Sequence, residues 1–243
     1  MPALLWQSGG GEDAMPIELC VFDAYGTLFD VDAAARAVAA EPGQAGFAAK
    51  WPALSADWRA KQLQYSWIRA VTGAHADFRT VTTEALDWAL DAAGLSGDAA
   101  LRDRLLALYR NLGVYAEVPA TLSALRAAGL GTAILSNGTP DMLDAAIAAA
   151  GIGGAFDAVL SVERVGVFKP DARVYHLVGA HFGTRPDAVL FVSANGWDAA
   201  AAAGYGFATA WVNRAGAPVD RLPWRPDHVI DSLAGVPALA VRA

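Results

Sequence analysis

Ile17-Glu18-Leu19-Cys20-Val21-Phe22 is a short, mostly apolar run that stops at Asp23 and is followed by Gly26-Thr27. A run of that length with turn residues behind it predicts a strand buried at the centre of a parallel sheet. After Phe29 the spacing of apolar positions becomes helical and stays so to about residue 112. Phe47, Trp51, Leu54, Trp58, Tyr65 and Ile68 follow helical spacing, with Pro52 in the first turn or at a kink. Thr80 to Leu95 and Asp98 to Leu112 read as two further amphipathic helices, halted by Gly94 and Gly113. With three or four helices and no strand between them, residues 31–112 predict a compact helical cap inserted after the first strand.

From residue 114 helices and strands alternate. Val118 to Ala128, Pro140 to Ala150, Asp171 to Phe182 and Trp197 to Ala203 carry helical patterns. Leu130 to Leu135, Asp157 to Leu160, Ala188 to Val192, Phe207 to Val212 and His228 to Ile230 read as strands. This order predicts an α/β fold: a doubly wound, mostly parallel core sheet with helices on both faces, built from residues 15–30 and 113–243. The cap then sits over the strand tips as a lid. There is no internal repeat, and Ala199 to Ala203 reads as close helix packing rather than disorder. Residues 1–14, with Gly9-Gly10-Gly11 and two acids, read as a flexible extension ahead of a second start at Met15.

At 243 residues and 55% hydrophobic composition the chain can bury a sizeable core, in one large domain or two modest ones. A net charge of −7 with only 18 scattered Lys and Arg argues against a nucleic-acid or anionic-membrane surface. Any anionic ligand therefore needs a local positive site. The single cysteine, Cys20, lies inside the first strand, permits no internal disulfide, and reads as a small buried hydrophobe suited to the cytoplasm. No basic residue precedes Arg36, so the start of a signal peptide is missing, and no apolar stretch reaches the roughly 18 residues of a membrane span. A cytoplasmic protein without a membrane partner is expected. His75, His176, His181 and His228 form no metal pattern with cysteine or acid partners.

The strand tips of a doubly wound sheet face the crevice in which such folds bind ligands. Asp23 stands there, and three roles are open to it: a nucleophile that forms an ester, a metal ligand, or a cap on the following turn. Ser136-Asn137-Gly138-Thr139-Pro140 follows the next strand. A hydroxyl and backbone N–H groups at a helix start hold an anion there, and a plain N-cap explains Ser136 equally well. Val167-Phe168-Lys169-Pro170-Asp171 puts a lysine ahead of a helix-starting proline. Pointed at Asp23 it keeps that carboxylate ionised; pointed outward it is a solvated surface lysine. Ser193-Ala194-Asn195-Gly196-Trp197-Asp198 offers one acid, whereas a hard divalent cation with a phosphate needs several carboxylate oxygens. That deficit argues against a metal site.

In this order, Asp23-Ala24-Tyr25-Gly26-Thr27-Leu28-Phe29-Asp30, the S-N-G-x-P segment, the Lys169-Pro170 pair and the last strand-tip segment resemble the motifs of the haloacid dehalogenase (HAD) superfamily of aspartate-nucleophile hydrolases. The narrower resemblance is to the (S)-2-haloacid dehalogenases. D-A-Y-G-T-L-F-D matches their opening motif, and residues 193–198 match S-S-N-x-W-D apart from Ala194 and Gly196, which replace serine and alanine. Trp58-Arg59-Ala60-Lys61-Gln62-Leu63-Gln64-Tyr65 is similar to W-R-Q-K-Q-L-E-Y, with Ala60 in place of a glutamine. The resemblance spans roughly residues 15–235.

It implies a Rossmann-like HAD core with a helical cap, a homodimer, and no cofactor. The implied reaction is hydrolysis of short-chain (S)-2-haloalkanoic acids to (R)-2-hydroxyalkanoic acids plus halide, through an aspartyl ester and without metal. In it Asp23 is the nucleophile and Thr27 braces the Asp23 carboxylate. Lys169, Ser193, Asn195 and Asp198 hold Asp23 and the lytic water, and Arg59 grips the halide. Substrate contacts fall to Tyr25, Leu63, Phe78, Ser136, Asn137, Tyr175 and Trp197, with Asn137 also helping to cradle the halide; Tyr175 is equally credible as a core residue of its helix. Phosphatases of the superfamily carry a second aspartate where this chain has Tyr25, and a phenol with a pKa of about 10 is a poor acid at neutral pH. A magnesium-dependent phosphatase and a catalytically silent binding protein of the same fold are the alternatives.

Overall fold

In the computed structural model, which describes residues 16–242, the apolar runs form six strands. They are β1 (Leu19–Phe22), β2 (Gly131–Ser136), β3 (Ala158–Ser161), β4 (Val189–Ser193), β5 (Ala208–Val212) and β6 (His228–Ile230), in the order β3-β2-β1-β4-β5-β6. Every pairing is parallel, one step beyond the mostly parallel sheet expected. β1 is buried throughout and flanked on both sides, with Phe22 between Ile134 and Val192. Successive strands run outward from β1 on one side and from β4 on the other. The crevice beyond the tips of β1 and β4 is thus the switch point at which such sheets bind ligands.

Between β1 and the rest of the sheet come α1 (Ala33–Ala39), α2 (Ala45–Ala48), α3 (Trp51–Thr72), α4 (Phe78–Ala92) and α5 (Ala99–Tyr109). There are five helices rather than three or four because α1 and α2 are too short for an apolar period to register. Pro52 lies in the first turn of α3, where its missing N–H costs nothing. α4 begins before the expected Thr80 because the Asp77 carboxylate accepts from Thr80 N at 2.7 Å. Asp98 caps α5 in the same way through Leu101 N at 2.9 Å. The chain leaves and re-enters the sheet side by side: Asp30 N donates to Gly113 O at 2.9 Å and Tyr115 N to Leu28 O at 3.1 Å.

The later helices are α6 (Val118–Ala127), α7 (Pro140–Ala150), α8 (Ala172–Phe182), α9 (Gly196–Tyr205) and α10 (Val236–Arg242). β2, β3 and β4 each run one residue past the expected end, onto the buried serines Ser136, Ser161 and Ser193. Each hydroxyl accepts the N–H two residues on, from Gly138 at 3.1 Å, Glu163 at 3.2 Å and Asn195 at 3.1 Å. A hydropathy pattern stops at the last apolar residue; these polar ones stay buried because the next turn satisfies them. Cys20 is buried, and burial pushes its thiol up to about 12, which leaves it an inert core atom. No described helix is long and apolar enough to cross a membrane. The extension expected over residues 1–14 lies outside the described residues.

Candidate active site

β1 hands the chain to the site through one hydrogen bond, Asp23 N to Val192 O at 2.9 Å, which seats Asp23 against the end of β4. The carboxylate is nearly buried, and each oxygen has donors: Oδ2 accepts from Thr27 Oγ1 at 2.9 Å and Asn195 Nδ2 at 3.0 Å, Oδ1 from Lys169 Nζ at 3.2 Å. The turn that follows is wound tightly on Ala24 O, which accepts from the N–H groups of Thr27, Leu28 and Phe29. Gly26 makes that turn possible. Its φ is +86°, and a Cβ there would lie 3.2 Å from Arg59 Nη2, so both backbone shape and close approach require glycine.

Lys169 Nζ lies between two carboxylates, Asp23 Oδ1 and Asp198 Oδ2, the latter at 2.8 Å. An ammonium this deeply buried persists only when paired and hydrogen-bonded. Burial works against its charge, but Asp198 and Asp23 outweigh burial and hold the Lys169 pKa above the ordinary 10.5, so it is protonated at neutral pH. Burial raises the Asp198 carboxyl while Lys169 pulls it back down. Asp198 Oδ1 accepts from the Tyr175 hydroxyl at 2.7 Å, and burial pushes that phenol well above its usual range.

A cavity of about 20 Å³ opens above Asp23. Tyr25, Ser136, Asn137, Lys169, Asn195 and Trp197 wall it from the strand tips. Arg59, Leu63 and Phe78 close it from α3 and α4. All ten lining residues, Asp23 included, are among those singled out from the sequence. Four others singled out do not line it. Thr27, Ser193, Asp198 and Tyr175 are buried behind that lining. α8 turns Tyr175 inward, where its hydroxyl meets the buried Asp198 carboxylate.

Arg59 Nη2 donates to Tyr25 O at 3.0 Å and Asn195 Oδ1 at 2.9 Å, while its Nε and Nη1 have no protein partner among the described residues. Asn137 Oδ1 accepts from Lys169 N at 3.1 Å, which fixes the amide and leaves its NH2 free to donate. Ser136 Oγ is engaged by Gly138 N. The site therefore couples a held carboxylate to a set of unspent cationic and amide donors, the combination needed to displace an anionic leaving group.

Sequence reasoning missed one strand tip. Arg214 follows β5, and its guanidinium reaches back to the turn after Asp23, donating to Gly26 O at 3.2 Å and Thr27 O at 3.1 Å. Trp211, on the same strand, donates from Nε1 to Ala194 O at 3.1 Å. The signal was available: Asn213-Arg214 occupies the same strand-end position as the segments that were read.

The donors do not fit a divalent cation. Both oxygens of Asp198 are taken by Lys169 and Tyr175, and the Asn195 amide presents an N–H to Asp23 where a cation would need an oxygen. Among the described residues no group of three or more His, Cys, Asp and Glu comes together elsewhere.

Comparison with known proteins agrees with this geometry. A family model described as haloacid dehalogenase-like hydrolase matches residues 17–206. (S)-2-haloacid dehalogenase 1 of Pseudomonas sp. (strain CBS-3) is 44% identical over 227 residues, 93% of this chain and 98% of that protein. A crystal structure of a dehalogenase superposes with a TM-score of 0.87 at 39% identity, covering 93% of this chain and 98% of that one. L-2-haloacid dehalogenase from Xanthobacter autotrophicus, solved with chloropropionic acid covalently bound, superposes with a TM-score of 0.80 at 39% identity, over 92% of this chain and 98% of that one. A match over most of the chain in sequence and in fold leaves one conclusion: the chain belongs to the haloacid dehalogenase-like hydrolases, in the family of the (S)-2-haloacid dehalogenases.

Proposed function

We propose that the protein hydrolyses short (S)-2-haloalkanoic acids to (R)-2-hydroxyalkanoic acids and halide through an ester on Asp23, with no metal ion. The observation that carries this reading is the Asp23 carboxylate, held by Thr27, Asn195 and Lys169 beneath a cavity whose opposite wall is Arg59. The covalently bound chloropropionic acid in the Xanthobacter autotrophicus protein supports the ester. An Asp23 oxygen attacks C2 from the side opposite the halogen, the carbon–halogen bond breaks, and its electron pair leaves with the halide. Water then adds to the Asp23 ester carbonyl, the acyl C–O bond breaks, and the product departs with C2 inverted once.

A carboxylate is a weak nucleophile, so most of the acceleration comes from orientation, worth on the order of 7–11 kcal/mol in well-aligned systems. Arg59 and the Asn137 amide receive the leaving halide; Ser136 and the backbone of its turn hold the substrate carboxylate. Leu63, Phe78, Tyr25 and Trp197 surround the alkyl chain. Lys169 and Asn195 orient Asp23, Asp198 holds Lys169 in place, and Ser193 orders the turn that presents Asn195. Burial, then Tyr109, pushes the Tyr25 phenol up, away from any role as the general acid a phosphatase needs.

A cavity of about 20 Å³ holds one water and no haloacid. Residues 31–112 therefore act as a lid that opens to admit substrate. Lid and sheet meet through the His75–Glu163 hydrogen bond, the Arg79–Asp141 ion pair and the edge-on Trp67–Trp197 contact, and at the site through Arg59 to Tyr25 O and Asn195 Oδ1, so opening has to break those two hydrogen bonds as well.

Halide release across resolved 2-haloacids, with product chirality read out, tests the reading. Release from (S)-acids with inversion, undiminished by a chelator, is the expected result; retention of configuration or loss of activity on chelation would sink it. Tyr175→Phe separates support from substrate contact. Losing the donor to buried Asp198 should lower stability by about 1–3 kcal/mol in a denaturant titration and lower kcat, with KM unchanged. A raised KM would return Tyr175 to the substrate.

A further inference from the structure

We infer that Arg214 is a positioning residue for halide displacement, acting on Asp23 through the turn that carries Thr27. The inference rests on the dehalogenase reading and adds a residue to it. Nη1 of Arg214 donates to Gly26 O at 3.2 Å; Nη2 donates to Thr27 O at 3.1 Å and to Glu117 Oε1 at 2.9 Å. The guanidinium carbon lies 3.8 Å from the centre of the Tyr115 ring. The planar fork is therefore held by an acid on one edge and an aromatic face below, and its remaining edge is spent on two consecutive carbonyls.

Among the described residues those carbonyls accept no other hydrogen bond. The N–H groups of Thr27, Leu28 and Phe29 converge on Ala24 O, that of Gly26 goes to Phe29 O, and neither Gly26 O nor Thr27 O accepts from a backbone N–H among the described residues. A surface ion pair with Glu117 alone uses one edge of the guanidinium and leaves the two contacts to the turn unexplained. What the turn delivers is the Thr27 hydroxyl, which accepts from Ala194 N at 2.8 Å and donates to Asp23 Oδ2 at 2.9 Å. Arg214 thus ties the end of β5 to the orientation of the nucleophile. From the other side Arg59 binds Tyr25 O, so the turn between Asp23 and Thr27 is clamped by one arginine of the lid and one of the sheet. An in-line attack on C2 tolerates little misalignment: a displacement near 1 Å costs on the order of 100-fold in rate.

A double-mutant cycle tests this, using halide release from (S)-2-chloropropanoate by wild type, Arg214→Ala, Thr27→Ala and the pair. Arg214→Ala should lower kcat by about 10- to 100-fold with KM unchanged, because Arg59, Ser136 and Asn137 are untouched. Guanidinium at low millimolar concentration should restore part of that rate. In the pair, Arg214→Ala should add almost no loss to Thr27→Ala, since both break the same connection. Losses that multiply, or a lowered melting temperature with kcat at the wild-type value, overturn the inference. If Arg214→Ala does not fold, Arg214→Lys runs the same cycle: a shorter, point-like ammonium cannot reproduce the planar fork that serves Gly26 O, Thr27 O and Glu117 together, so an intermediate kcat is expected and a wild-type kcat refutes. Wild-type turnover in the same assay bears on the dehalogenase reading alone.

Discussion

Asp23→Asn should abolish halide release, with kcat falling by about 10⁴-fold or more, a barrier increase of at least about 5 kcal/mol. Asparagine keeps the shape of the side chain and its place against Val192, but replaces the attacking oxygen pair with an amide that is far less nucleophilic. It also sets an NH2 group or a neutral oxygen opposite Lys169 Nζ, where the wild type has a carboxylate at 3.2 Å. The decisive measurement is one turnover in ¹⁸O water. Water attacks the ester carbonyl, so the first label enters Asp23 and not the hydroxy acid. Mass spectrometry of the peptide containing Asp23 reads this out, and label in the product of the first turnover with none in the peptide would falsify the ester route.

Lys169→Met is expected to produce the largest combined loss. Lys169 is, among the described residues, the cation that pairs both buried carboxylates, and removing one member of such a group costs about 3–5 kcal/mol because the remaining charges are left without compensation. kcat should fall with it, since Asp23 and Asp198 then repel.

The pH dependence carries a definite sign. The folded pKa of Lys169 lies above the ordinary 10.5, with burial opposing and Asp198 and Asp23 prevailing. Its contribution to stability is therefore complete below the unfolded value and is lost only as pH rises through the folded one. On this account wild-type stability shows no lysine-linked decline from neutral pH to about 10. In Lys169→Met the burial that raises the Asp198 carboxyl goes unopposed, so acidification protonates it and relieves the stranded charge. The stability gap between variant and wild type should narrow as pH falls, and a gap that does not change with pH would contradict the pairing.

Much of the site was legible because the sheet's share of it lies in short segments beyond the strands. Asp23, Ser136, Asn137, Lys169, Asn195 and Trp197 each follow an apolar run within a few residues, and the parallel sheet gathers such ends on one edge. Arg59, Leu63 and Phe78 lie on long helices, where nothing local says which face looks at the sheet; only the resemblance of the Trp58 to Tyr65 segment brought Arg59 and Leu63 forward. Tyr175 entered through the resemblance alone, since helix spacing cannot tell a side chain that reaches a cavity from one that stops at a buried acceptor on the way. Arg214 escaped notice because an arginine after a strand reads as surface until its partners, the carbonyls of Gly26 and Thr27, are known.

By itself the sequence determined where strands and helices form, which glycines turn the chain, and which side chains stand at the strand tips. Apolar period, caps and turn residues act over a few neighbours, so they are written locally. Only the tertiary structure decided what those side chains meet. Lys169 is a buried, charged clamp because Asp23 and Asp198, 146 and 29 residues away along the chain, converge on it. Arg214 holds the Thr27 turn from 187 residues away. Whether a charged group is stabilised or penalised depends on the groups that replace its water, and those are supplied by strand order and packing between distant segments, which no stretch of neighbouring residues contains.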